Sequence, residues 1–412
     1  MPKRTLSICI FAGVAVLFAM PGLAGARRAG RARLRKYEAR YHVIYTDLPR
    51  DKAHEAIARV NAMDEEYYKR TKGFGGKIRK KLPFYLYSRH KDYLASLDKK
   101  FANSAGVYTG KELKAVADEK LVGWQQVWRA VQHEGFHQFA HMVISRGRGT
   151  LPVWLNEGLA EYFGAAIWTG DGMVAGLIDP GATWQKGNKI FTRPGRLQRV
   201  QEAIKQGDFT SFAKMIAMTP GQWNAKLTKA NYDQVWSMVH FFVHAKDGKY
   251  RKRFQNYLGD VVKGKDSLGA FRKRFGYDLR ALQKRYEKWW LGLGENPTAE
   301  LYDKATVQTL TSFLARAYLR KIRFETAEEF FTLARKGELD IDAKRAKKLW
   351  LPPALLSQAL QNAQRHKNWQ IKPGRRRRPT LRLTRPDGMV LEGSFTLRGR
   401  KGIGAVTVKI KK

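Results

Sequence analysis

The sequence predicts an α+β chain, and three observations carry that assignment. Strand-like segments alternate with helical ones between residues 41 and 122, a mostly helical, aromatic-rich stretch occupies 123–294, and the C-terminal end returns to short strands. In order, residues 41–46 read as a strand, 51–71 as a helix, and 82–87 as a second strand with a helix after it. Residues 106–108 and 113–117 add further strands before the polar Asp118, Glu119 and Lys120 and the break at Gly123. Residues 306–321 and 324–336 form a helical pair, followed by Pro352 and Pro353 and a helix to about Gln364. Beyond the cationic run 375–378, residues 380–384 and 391–397 flank the turn signal Asp387-Gly388, and Val406, Val408 and Ile410 alternate with polar residues.

With 412 residues, 43% of them hydrophobic, the chain can bury more than one core, so global disorder is excluded. Lys and Arg number 78 against 36 Asp and Glu, and the formal charge of +42 points to anionic surroundings. The single cysteine, Cys9, lies in an apolar run of 15 residues, 6–20, behind Lys3 and Arg4 and ahead of Ala24-Gly25-Ala26. That is the anatomy of an export signal, too short for a spanning helix, with cleavage expected after Ala26 and a periplasmic, cell-envelope or extracellular destination. A mature chain without cysteine has no disulfide, thiol nucleophile or cysteine-based zinc site, so any metal falls to His and carboxylates. The expected organisation is a signal at 1–26, a basic arm at 27–40, an α+β lobe at 41–122, a helical lobe at 123–294, further helices at 295–370 and a basic strand tail at 371–412.

The chemistry-bearing pattern is His133-Glu134-Gly135-Phe136-His137. Spacing of four puts both imidazoles on one helix face, a turn apart, where two nitrogens can converge on one Zn²⁺. Glu134 follows the first histidine and can take a proton from water that the ion has acidified. Catalytic zinc requires a third protein ligand, and the segment 151–163 reads as a second helix carrying Glu157 and Glu161 one turn apart among Trp154, Leu155, Leu159, Tyr162 and Phe163. One of these carboxylates can bind the ion while the other holds the free N–H of a ligand histidine.

Together, His133-Glu134-x-x-His137 and Trp154-Leu155-Asn156-Glu157-Gly158 resemble the gluzincin, peptidase MA-like zinc peptidases, and over about 41–290 the chain resembles a family of secreted bacterial proteins with the same histidine motif. The resemblance implies a zincin-like two-lobed catalytic domain: a mixed sheet with an active-site helix, then a helical lobe, here with small C-terminal helical and β additions. It implies His133, His137 and Glu157 as zinc ligands and Glu134 as general base. Glu161 and Asn156 would support the ligands, and Tyr232 would donate to the oxyanion. The interval from His137 to Glu157 is one residue longer than in the similar branch, and the Gly-x-Met-Glu-Asn segment that aminopeptidases of that branch use for a free amine is absent. An endopeptidase is therefore expected, with a strand near 113–117 pairing with substrate backbone.

His240 and His244 are also four apart, but no Glu follows His240 and the intervening Phe241, Phe242 and Val243 read as core. Two other classes of function compete with an enzyme acting on a peptide or protein substrate. One is a catalytically silent protein of the same fold that binds anionic envelope polymers or lipid headgroups; the other is a basic nucleic-acid-binding protein, for which the sequence carries no recognisable motif.

Overall fold

The computed structural model describes residues 33–411 apart from 72–75, 99–100, 102–103, 119–122, 146–150, 187–188, 226, 343–348, 374–377 and 400–401. The signal segment, Cys9 and residues 27–32 of the expected arm lie outside the described residues. The fold is mixed α+β. In chain order come β1 (Arg35–Glu38), β2 (His42–Thr46), α1 (Arg50–Arg70), β3 (Leu82–Tyr87), α2 (His90–Ala95), β4 (Gly106–Tyr108) and β5 (Leu113–Val116). Next are α3 (Trp124–Phe139), α4 (Val153–Gly164) and two hairpins, β6 (Ile167–Trp168) with β7 (Met173–Val174) and β8 (Gly181–Lys186) with β9 (Lys189–Pro194). The helices α5 (Arg196–Gln206), α6 (Phe212–Ile216), α7 (Pro220–Ala225), α8 (Lys229–Gly248), α9 (Arg251–Val262), α10 (Ser267–Phe275) and α11 (Leu279–Leu291) follow. The chain ends with α12 (Ala299–Leu319), α13 (Ala327–Arg335), α14 (Pro353–Ala363), β10 (Trp369–Pro373), β11 (Pro379–Thr384), β12 (Val390–Arg398) and β13 (Gly402–Lys411).

These elements form two compact units. The first comprises the chain up to Leu48, Tyr67–Ala166 and Ile178–Pro297; the second comprises Pro49–Glu66, Ile167–Leu177 and Thr298–Lys412. The first unit holds a five-stranded mixed sheet in the order β1-β2-β3-β5-β4. Its β2-β3 and β3-β5 pairs are parallel and its two outer pairs antiparallel. The sheet packs α3 against β4 and β5, and α4 in turn lies between α3 and α8. Tyr67 wedges among Phe136, Phe139 and Phe163, with ring centroids 4.8–5.5 Å apart, so aromatic packing locks α3 to α4. In the second unit the antiparallel sheet β10-β11-β12-β13 lays Leu383 and Leu391 on Val307, and Phe395 and Val406 on Ala315, both in α12.

Two expectations need correction. Residues 35–38, assigned to an exposed arm, form the edge strand β1; only Tyr37 is partly buried, so no apolar alternation announces it, and backbone pairing with β2 supplies the order. The stretch expected to be mostly helical is so, from α3 to α11, and it also contains the short hairpins β6–β7 and β8–β9. The helices of 295–370 and the strands of 371–412 are not separate regions, because α12 is the surface on which the sheet closes. The turn at Asp387-Gly388 lies between β11 and β12, with Gly388 at φ 80° as its left-handed residue. No helix among the described residues is long and apolar enough to cross a membrane.

The crossing of α4 over α8 depends on Gly158. A Cβ there would lie 2.5 Å from the Val235 carbonyl oxygen and 2.7 Å from Val239 Cγ2. Replacing glycine by alanine inside a helix ordinarily stabilises by about 1 kcal/mol. Overpacking against a backbone atom costs about 1–3 kcal/mol, and here it wins. Gly158→Ala is expected to lower stability by roughly 1–2 kcal/mol, read from the midpoint of urea denaturation; an unchanged or raised midpoint would contradict the close crossing.

Candidate metal centre

Helix α3 is buried continuously from Val131 to Phe139, and polar side chains fix its position as much as apolar ones do. Gln138 donates to the Pro83 carbonyl at 3.1 Å and accepts from His42 at 3.1 Å, tying α3 to β3 and β2. Gln132 donates to the carbonyls of Phe163, Gly164 and Ala166 at 3.0–3.2 Å, satisfying acceptors that the end of α4 leaves open. After Phe139 the helix widens into a π turn, Ala140–Ser145.

On this frame His133, His137 and Glu157 converge, all buried. His133 Nε2 and His137 Nε2 are 3.1 Å apart; Glu157 Oε2 is 3.5 Å from the first and Oε1 is 3.6 Å from the second. A tetrahedral ion bound at about 2.0–2.1 Å separates its ligand atoms by about 3.3–3.4 Å. The three distances bracket that value, so the donor set and its spacing fit zinc.

Behind the triad a chain of charges holds His133. Its Nδ1 lies 3.2 Å from Glu161 Oε1, which assigns the Nδ1–H tautomer and leaves the Nε2 lone pair directed at the triad. Arg196 Nη1 donates to Glu161 Oε2 at 2.6 Å, Nη2 donates to the Tyr232 carbonyl at 3.1 Å, and Nε faces Asp233 Oδ1 at 2.9 Å. Arg199 grips Asp233 with two bonds of 2.7 and 3.0 Å, and the Arg196 guanidinium lies 4.3 Å over the Trp236 ring. Burial disfavours a charged Glu161, but Arg196 and His133 outweigh it and hold the carboxyl well below its usual range. Burial also disfavours the His133 imidazolium; with protein groups alone, Glu157 and Glu161 reverse this and raise His133 to about 10, and they hold an ion's charge in the same way.

Glu134 is buried beside the triad, and its Oε2 accepts from the Tyr108 backbone N–H at 2.8 Å. Burial raises its carboxyl pKa against the opposing pull of His137, His133 and that N–H, in the direction a base working near neutral pH needs. Gly106 permits this arrangement: a Cβ there would sit 3.3 Å from Ala130 Cβ and 3.6 Å from Glu134 Cγ, so β4 lies directly on α3. Tyr232 is buried with its ring 6.5 Å from that of His133; the Trp223 indole faces its hydroxyl, and the hydroxyl proton has no acceptor among the described residues. Burial, then Glu157, Glu161 and Glu134, push the phenol far above its ordinary range, so it keeps its proton and remains a donor.

The fold therefore gathers His133, His137, Glu157, Glu134, Glu161 and Tyr232. Asn156, next to Glu157 in α4, is buried, and its Oδ1 has no hydrogen-bond partner among the described residues. His141 is exposed and bonds the Tyr108 hydroxyl at 2.8 Å. His240 and His244 pack ring to ring at 4.4 Å, with His240 against Trp236 and Trp290 and His244 bonded to the Tyr162 hydroxyl. The strand expected to receive substrate, β5, is interior, paired to β3 on one side and β4 on the other. The open edge belongs to β4, whose pairing was hidden because β4 and β5 are joined by a tight turn in which Thr109 N–H bonds the Glu112 carbonyl. Sequence patterning also misses Arg196, Arg199 and Asp233. The usable signal was Asp233, an acid beside Tyr232 on a helix otherwise read as core, since a buried carboxylate needs a cation.

Elemental analysis of the purified chain is expected to give about one zinc per molecule in wild type and a loss in His137→Ala and Glu157→Ala. Arg196→Met leaves the buried Glu161 carboxylate without its close cation, while Arg199 still holds Asp233, and is expected to cost about 3–5 kcal/mol of stability, measured by chemical denaturation.

The sequence profile of a family described as "Protein of unknown function (DUF1570)" matches residues 128–263, a span that contains the triad, Glu134, Glu161, Arg196 and Tyr232. No curated protein matches the chain. Over this third of its length the chain is similar to that family.

Proposed function

We propose that the chain is a zinc-dependent endopeptidase of zincin-like architecture, exported from the cytoplasm, hydrolysing peptide bonds with water. The observation that carries this reading is the pairing of a three-ligand set with a separate buried carboxylate, Glu134, that takes no part in that set. A closed structural site needs four protein ligands and no base; three ligands beside a carboxylate of raised pKa suit hydrolysis. Zinc, held by His133, His137 and Glu157, would supply Lewis acidity to a peptide carbonyl and acidify water.

The remaining work falls to the chain's own groups. Glu134 accepts the proton of the attacking water and delivers it to the leaving amine. Tyr232, protonated and with no acceptor for its proton among the described residues, donates to the oxyanion as the carbonyl becomes tetrahedral. Glu161, gripped by Arg196, keeps the His133 ring in one tautomer and orientation. Substrate backbone adds to β4: Ala105 and Thr109 turn their bonds toward the β5 side, so the alternate residues Gly106 and Tyr108 turn theirs the other way, where Glu134 takes the Tyr108 N–H and the Gly106 backbone is left for substrate.

Glu134→Gln is expected to retain zinc and to lose hydrolysis of an unfolded protein substrate by about 100-fold or more. Undiminished cleavage by that variant removes Glu134 from the mechanism, and absence of cleavage by zinc-loaded wild type across unfolded substrates favours the silent, polymer-binding alternative.

A further inference from the structure

The charges around the His133 side of the centre do not cancel. Five cations, Arg129, Arg193, Arg196, Arg199 and Lys229, surround three carboxylates, Glu161, Asp179 and Asp233. Glu134 and Glu157 are matched by the two charges of a zinc ion, so an excess of two positive charges remains at the rim. Arg196 and Arg199 are committed to Glu161 and Asp233, and Arg193 forms two bonds with Asp179 at 2.6 and 3.1 Å.

Arg129 and Lys229 are the two that remain available. Arg129 stands one turn before His133 on α3, its side chain is 44% exposed, and its nearest carboxylate, Glu161, is 3.8 Å away, beyond hydrogen-bonding distance. Lys229 opens α8 one turn before Tyr232, is exposed, and has no carboxylate in hydrogen-bonding contact among the described residues. Partial burial, then the field of Arg199, Arg193 and Arg196, lowers its ammonium pKa although Asp233 pulls the other way, which marks this rim as electropositive. Both residues thus sit one helical turn before a group assigned to the reaction, and both side chains reach solvent.

Resting on the peptidase reading above, we infer that Arg129 and Lys229 bind a carboxylate of the substrate and make acidic peptides the preferred class. The test uses zinc-loaded Glu134→Gln protein and calorimetric binding of short peptides of one sequence in which a run of Glu is replaced by Gln or by Lys. The Glu peptide is expected to bind roughly tenfold tighter than the Gln peptide, two exposed cations each contributing a modest ion pair, and to weaken as salt rises. Adding Arg129→Gln and Lys229→Gln should abolish the difference with zinc content unchanged, and Lys229→Glu should move the preference toward the Lys peptide. Equal binding of the three peptides, a preference that survives in the substituted chain, or no binding at all overturns the inference. A preserved acidic preference in a wild-type chain that cleaves nothing would sink the peptidase reading and leave this assignment of the rim standing.

Discussion

Glu134, Glu157, Glu161 and Asp233 are all buried within a few side chains of one another, and four carboxylates cannot share a poorly solvated space without cations to face. That requirement organises the first unit. Arg196 answers Glu161 and Asp233, Arg199 completes Asp233, and the two histidines face Glu157, with a place between them whose dimensions suit a divalent ion. The arrangement runs from the first turn of α5 through α4 to α3, so placing one ligand histidine depends on a helix that begins more than sixty residues later.

The neutral packing serves the same end. Gly158 lets α4 approach α8, which brings Tyr232 and Asp233 to the face of α4 that carries Glu157 and Glu161. Gly106 lets β4 approach α3, which brings a backbone N–H to Glu134. In both places the absent side chain is what allows two elements of the first unit to approach closely. The cost is concentrated in the Tyr232 hydroxyl, whose proton has no acceptor among the described residues.

Much of this was legible in the chain itself. The strand segments 82–87 and 106–108, the helix at 51–71, the two helices bearing the histidine and glutamate motifs, and the turn at Gly388 follow from periodicity and turn chemistry, because those signals are local. The spacing of His133 and His137 fixes their shared face by helix geometry alone, and the spacing of Glu157 and Glu161 does the same.

Sequence by itself determined the residue types, the helical presentation of the donors and the basic balance of the chain. Only the tertiary structure decided that β5 is interior and β4 the edge, that α12 and the C-terminal strands share one core, and that Arg196 is the cation behind His133. The physical reason is the same in each case. Strand order and charge pairing are set by groups distant in sequence, and a lone arginine at the head of a helix carries no local mark of the carboxylates it will meet once the chain is folded.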